Sequence, residues 1–119
     1  MKTIVLTLVA LAFFSCTSKN PTVVLHSEVP NHLDSVLVYA SHSCGHAVFK
    51  DIGAGFTGSA VIPFCKALQS DGSYGIQCYS GGTIYAQKGF GYYTNGASLN
   101  NGFDITITKE GSVLVAENN

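Results

Sequence analysis

An all-β fold, a small Greek-key β-sandwich of about seven short strands behind an N-terminal signal peptide, is what three features of the chain predict. From Thr22 onward, short runs of β-branched and aromatic residues are broken by clusters of Gly, Asn and Asp, the residues that supply turn geometry. The breaks recur about every 8 to 12 residues, as strands of a sandwich require. No stretch of helical length carries apolar residues at the helical period. A partly open barrel is the other architecture that fits, since Gly at strand corners also serves closure.

The chain begins with Lys2, the apolar run Ile4 to Phe14, and Ser15. A basic start, an apolar run too short to cross a bilayer and a small residue at the cut predict a signal peptide over residues 1–15, not a transmembrane helix. Phe13-Phe14-Ser15-Cys16 resembles the bacterial lipobox, with Phe13 where an aliphatic residue usually stands. The resemblance implies cleavage before Cys16 and alkylation of its thiol by diacylglycerol, which tethers the mature chain to a membrane. Residues 16–21 are then anchor and tether, because Thr17 to Pro21 is small and polar with one Lys and one Pro. Residues 22–119 form one domain: the chain left after the cut suffices for a single modest core.

Val23 to His26 reads as the first strand, and Pro30-Asn31 breaks the chain. Ser35 to Ala40 is apolar on both faces and is expected to be central. Ala47 to Lys50 is the next short strand. Gly53, Gly55 and Gly58 allow a wide turn before Ser59 to Ile62, which Pro63 ends or places at an edge. One turn of helix fits between Phe64 and Gln69. Tyr74 to Tyr79 and Thr83 to Gln87 form a hairpin about Gly81-Gly82, since glycines supply the positive φ of primed turns. Tyr74, Ile76 and Cys78 share one face of it, while Thr83, Tyr85 and Gln87 oppose Ile84 and Ala86. Asn95-Gly96 turns Tyr92–Thr94 back into Ala97–Leu99, and Asn100-Asn101-Gly102 turns again. Phe103 to Lys109 alternates, with Ile105 and Ile107 opposed to Thr106 and Thr108, and Glu110-Gly111 returns the chain as Val113 to Ala116.

Charged residues are 11% of the chain, the six basic ones are all Lys, and the net charge is −1. Without Arg or a basic stripe, nucleic acid is excluded as an expected partner. Four cysteines, Cys16, Cys44, Cys65 and Cys78, lie in the mature chain. If Cys16 carries lipid, an odd three remain, implying one disulfide among Cys44, Cys65 and Cys78 and one free thiol. If Cys16 is free, two bridges can form.

Ser59-Ala-Val-Ile-Pro-Phe64, Leu68, Gly72-Ser-Tyr-Gly-Ile76 and Gly82-Thr-Ile-Tyr85 resemble the prealbumin-like repeats of bacterial surface proteins, the Cna-B and carboxypeptidase-regulatory-like domains. The resemblance implies a seven-stranded sandwich serving as stalk, adaptor or binding module, with no catalytic residue to carry over. The cysteines and the Gly-aromatic segment Gly89 to Tyr93 depart from that pattern.

His42-Ser43-Cys44-Gly45-His46 is the one local cluster of ligand type. Extended, it projects His42, Cys44 and His46 from one face, a set able to hold Zn or Cu. Gly45 and the missing fourth ligand favour an ordinary loop instead, and His26 and His32 are too dispersed to contribute. No metal or other cofactor is therefore expected. No Gly-x-Ser-x-Gly elbow or paired carboxylates appear, and no catalytic residue is expected. Gly89 to Gly96 offers Phe90, Tyr92 and Tyr93 either as a loop platform for a sugar ring or a protein, or as core filling.

The expectation is an exported, lipid-anchored, non-catalytic binding or structural module of the cell envelope, with protein or carbohydrate as partner. The alternative is a freely secreted small effector, toxin-like protein or inhibitor held by two disulfides.

Overall fold

β1 (Thr22–Ser27) begins the domain as a strand paired on both edges, with Val23 and Leu25 fully enclosed. The structure, a computed structural model, describes residues 20–41, 45–64, 70–95 and 97–118. Among them follow β2 (Leu33–Tyr39), β3 (His46–Ile52), β4 (Thr57–Val61), β5 (Gly72–Ser80), β6 (Thr83–Thr94), β7 (Ala97–Ser98), β8 (Gly102–Ile107) and β9 (Val113–Asn118), with no helix. The fold is all-β, as expected, but with nine strands in place of about seven. The signal peptide, residues 1–15, and the Cys16–Lys19 part of the tether lie outside the described residues, as do residues 65–69 of the expected helical turn.

The strands form two separate sheets, ordered β4-β1-β8-β9 and β3-β2-β5-β6-β7. Their separation favours the sandwich over the barrel. β1 pairs antiparallel with β4 and parallel with β8, from Thr22↔Gly102 to Ser27↔Ile107. A parallel neighbour needs a long crossover, and here the connection runs through the whole second sheet. That sheet is antiparallel throughout.

The core lies between the sheets. Val36 and Val38 of β2, Ala47 and Phe49 of β3, and Tyr74, Ile76 and Cys78 of β5 meet Val23 and Leu25 of β1 and Phe103, Ile105 and Ile107 of β8. At period two, one residue in two of each strand faces inward, which is why Thr106 and Thr108 sit half-exposed beside buried Ile107. In β3 the alternation slips by one where Asp51 takes φ 55°, so Phe49 and Ile52 are both buried despite their odd spacing, as are their partners Val36 and Leu33 in β2.

Gly102 is buried beneath the Thr22 carbonyl, and any Cβ there would collide with that backbone. The close approach explains why the turn Asn100-Asn101-Gly102 ends in glycine: it opens a parallel ladder as well as a turn.

Two expectations for the hairpin change. The ladder runs Cys78↔Ala86 and then Tyr79↔Ile84, leaving Tyr85 as the extra residue of a bulge, so the alternation expected from Thr83 to Gln87 breaks there. The segment Gly89 to Thr94, open between a loop platform and core filling, is strand: β6 runs unbroken to Thr94 because Gly91 takes φ 65° and absorbs a second irregularity in the ladder.

Candidate functional site

The outer face of the five-stranded sheet carries a groove of about 320 Å³, bounded by Tyr39, Ser73, Tyr74, Gly75, Ile76, Gln87, Lys88 and Gly89. Its floor follows from register. Gly75 pairs with Gly89 and Gln77 with Gln87 across the β5–β6 ladder, so two residues without side chains lie side by side. Tyr74 and Ile76 turn their side chains into the core, and Lys88 sends its ammonium to the Val113 carbonyl at 3.0 Å. These three contribute backbone to the groove, leaving Tyr39, Ser73 and Gln87 as its side-chain walls.

Each glycine has a different reason. A Cβ on Gly75 would lie 2.5 Å from Cζ of Tyr39, so this ring rests directly on the glycine and fills its notch. A Cβ on Gly89 would meet only the Tyr74 carbonyl oxygen, at an ordinary 3.7 Å. Beside the floor, Gln77 Oε1 accepts the Tyr79 hydroxyl at 2.8 Å.

The three aromatics offered as platform or core filling separate. Phe90 and Tyr93 are 8% and 5% exposed and belong to the core, whereas Tyr92 is 47% exposed. Phe90 stacks on Tyr74 with centroids 5.6 Å apart and meets Phe103 edge-on at 5.0 Å. Tyr93 packs edge-on against Phe64 at 5.4 Å and its hydroxyl reaches the Ala40 carbonyl at 3.4 Å. Strand alternation is the cause: with Gly91 at positive φ, Phe90 and Tyr93 both fall on the inner face and Tyr92 is left outside.

Of the expected His-Cys-His set, His42 and Cys44 lie outside the described residues. His46 stands exposed at the start of β3, paired with Tyr39. Among the described residues no three His, Cys, Asp or Glu side chains converge as a metal site. His32 lies 4.0 Å from Asp34 and 3.8 Å from Asp51 at the opposite end of the sandwich, all three exposed.

Cys78 is a free, fully buried thiol, and burial pushes its pKa up to about 11. The sequence left open which of Cys44, Cys65 and Cys78 stays free; for Cys78 the inward face that makes β5 a core strand also encloses its sulfur. Cys16, Cys44 and Cys65 lie outside the described residues. No protein-family model, curated protein or solved structure matches the chain. The groove was missed in the sequence, yet its signal is there: Gly75-Ile-Gln77 and Gln87-Lys-Gly89 mirror each other about the Gly81-Gly82 turn.

Proposed function

We propose that the chain is an exported, lipid-anchored, non-catalytic β-sandwich that works as a binding or structural module of the cell envelope. The observation that carries this reading is the lipobox-like Phe13-Phe14-Ser15-Cys16 followed after five residues by the first strand. Five residues span roughly 17 Å at full extension, which holds the Thr22 end of the sandwich close to a bilayer. The start of β1 is fastened there: the Thr22 amide donates to the Asn101 carbonyl at 3.1 Å and the Ile62 amide to Pro21 at 3.0 Å.

The prealbumin-like resemblance is supported by the strand order, a first strand between one antiparallel and one parallel neighbour, facing an antiparallel sheet. The secreted alternative needs two bridges, hence all four cysteines; the free Cys78 weighs against it.

Intact-mass analysis of the membrane-associated protein tests the anchor. A diacylglyceryl adduct on an N-terminal Cys16, lost together with membrane association in Cys16→Ala, is expected. A soluble protein with an unmodified Cys16 overturns the anchor.

A further inference from the structure

We infer that the Gly75/Gly89 groove is a binding site for a neutral saccharide chain, an inference that rests on reading this domain as a binding module. Gly89 is the first observation. Its φ is outside the left-handed region and no neighbour crowds its missing Cβ, so neither backbone geometry nor internal packing calls for glycine. A glycine inside a strand marks a bulge, a tight bend, or close approach by a ligand or another backbone, and Gly89 lies in regular pairing with Gly75 between the two bulges, which leaves the approach. Gly75, by contrast, is accounted for by the Tyr39 ring lying on it. Between them the fold keeps open a space that any larger residue at position 89 would fill.

The walls state the ligand's chemistry. Ser73 and Gln87 put a hydroxyl and an exposed amide beside the Tyr39 ring. Each of these neutral groups both donates and accepts hydrogen bonds, as sugar hydroxyls do in return. The ammonium of Lys88 is turned away onto Val113, so an anion meets no cation in the groove, and no carboxylate lines it to hold a cation. A peptide adding as a strand would pair along the open edge of β6, not across the groove floor, where the β5–β6 ladder is already formed. The volume, about 320 Å³, is at the small end of ligand sites, and the groove is open to solvent, which suits one unit of a longer chain.

The test is calorimetric titration of the full exported protein, held in a detergent without a sugar headgroup, with cellohexaose, maltohexaose and N-acetylchitohexaose, and with hexagalacturonate as the charged probe. Saturable binding of at least one neutral hexasaccharide is expected, weakened about tenfold or more by Tyr39→Ala and by Gln87→Ala. Gly89→Val is expected to abolish it with the urea midpoint unchanged or higher, since Val suits a strand better than Gly does; loss of binding there is not loss of fold. No titration with any neutral probe, binding that survives Gly89→Val, or preference for hexagalacturonate each overturns the inference. The state of Cys16 is read separately by mass, so failure here leaves the anchor standing, and failure of the anchor leaves this site standing.

Discussion

Tyr74 donates its hydroxyl to Ser98 Oγ at 2.8 Å while its ring packs edge-on against Phe103 at 4.9 Å. This one side chain therefore joins β5 both to the short β7 and to the opposite sheet. Ser98 Oγ in turn donates to the Asn100 carbonyl at 2.8 Å, shaping the turn into β8. Tyr74→Phe keeps the ring and removes the link to Ser98. It is expected to cost about 1 kcal/mol in urea denaturation, whereas Tyr74→Ala, which opens the centre of the aromatic cluster, costs roughly 3–5 kcal/mol.

Alkaline stability reports Cys78. Its thiol has a pKa of 9.0 when unhindered and about 11 when buried in the fold, so the folded state holds the proton more tightly than the unfolded chain. The stabilisation is complete below pH 9 and fades as the pH rises toward 11. Tyr74 adds loss of the same sign, its pKa raised by burial and by Tyr93 against the opposing bond to Ser98. Cys78→Ala is expected to be about 1–2 kcal/mol less stable at pH 7 but to show a flatter decline between pH 9 and 11. Equal slopes for the two proteins would remove Cys78 from the account.

With Cys78 free and Cys16 proposed to carry lipid, only Cys44 and Cys65 remain to pair. The described residues beside them meet at one end of the sandwich: the Gly45 carbonyl accepts the Ala40 amide at 2.8 Å, and Tyr93 connects Ala40 to Phe64. Peptide mapping under non-reducing conditions is expected to find a Cys44–Cys65 cross-link and one thiol, Cys78, that alkylates only after denaturation. A linked Cys78 peptide would contradict the free, buried thiol.

The local grammar of the fold was legible wherever one rule sufficed. Gly81-Gly82 and Asn95-Gly96 announce their turns, and Phe103, Ile105 and Ile107 announce an inward face, because turn conformation and period two are local properties. Bulges are not local. Tyr85 breaks its alternation only because β5 and β6 differ in register on either side of it, and Phe90 and Tyr93 share a face only through the positive φ of Gly91. The groove was legible only in part: mirrored Gly75-Ile-Gln77 and Gln87-Lys-Gly89 point to it, but Gly75 meets Gly89 only through the shift at Tyr85, and Tyr39 reaches Gly75 from a third strand.

Gly91 makes that dependence measurable. A Cβ there would lie 2.9 Å from the Tyr74 ring and 3.0 Å from Phe103, at a φ that side chains resist. Gly91→Ala is expected to cost about 2–4 kcal/mol from strain and overpacking together, read as a lowered urea midpoint. Gly55→Ala, at φ 77° but in open space, is expected to lose less, about 1 kcal/mol. Equal losses would show that crowding at position 91 contributes nothing.

Lys88 guards an open edge. Among the described residues, β6 from Thr83 to Tyr92 pairs only with β5, since β7 reaches it only at Tyr93 and Thr94, and the run displays Ile84 and Tyr92, 48% and 47% exposed. Such an edge invites pairing with another chain, and a charged side chain in its middle opposes it. The Lys88 ammonium also occupies the carbonyl of Val113 on β9, an edge strand of the other sheet, so one side chain blunts two edges. On size-exclusion chromatography with light scattering the parent protein is expected to be monomeric and Lys88→Val to form concentration-dependent dimers or larger species. Lys88→Arg, which keeps the charge, is expected to remain monomeric. A monomeric Lys88→Val at the same concentrations would assign the protection of β6 to its bulges instead.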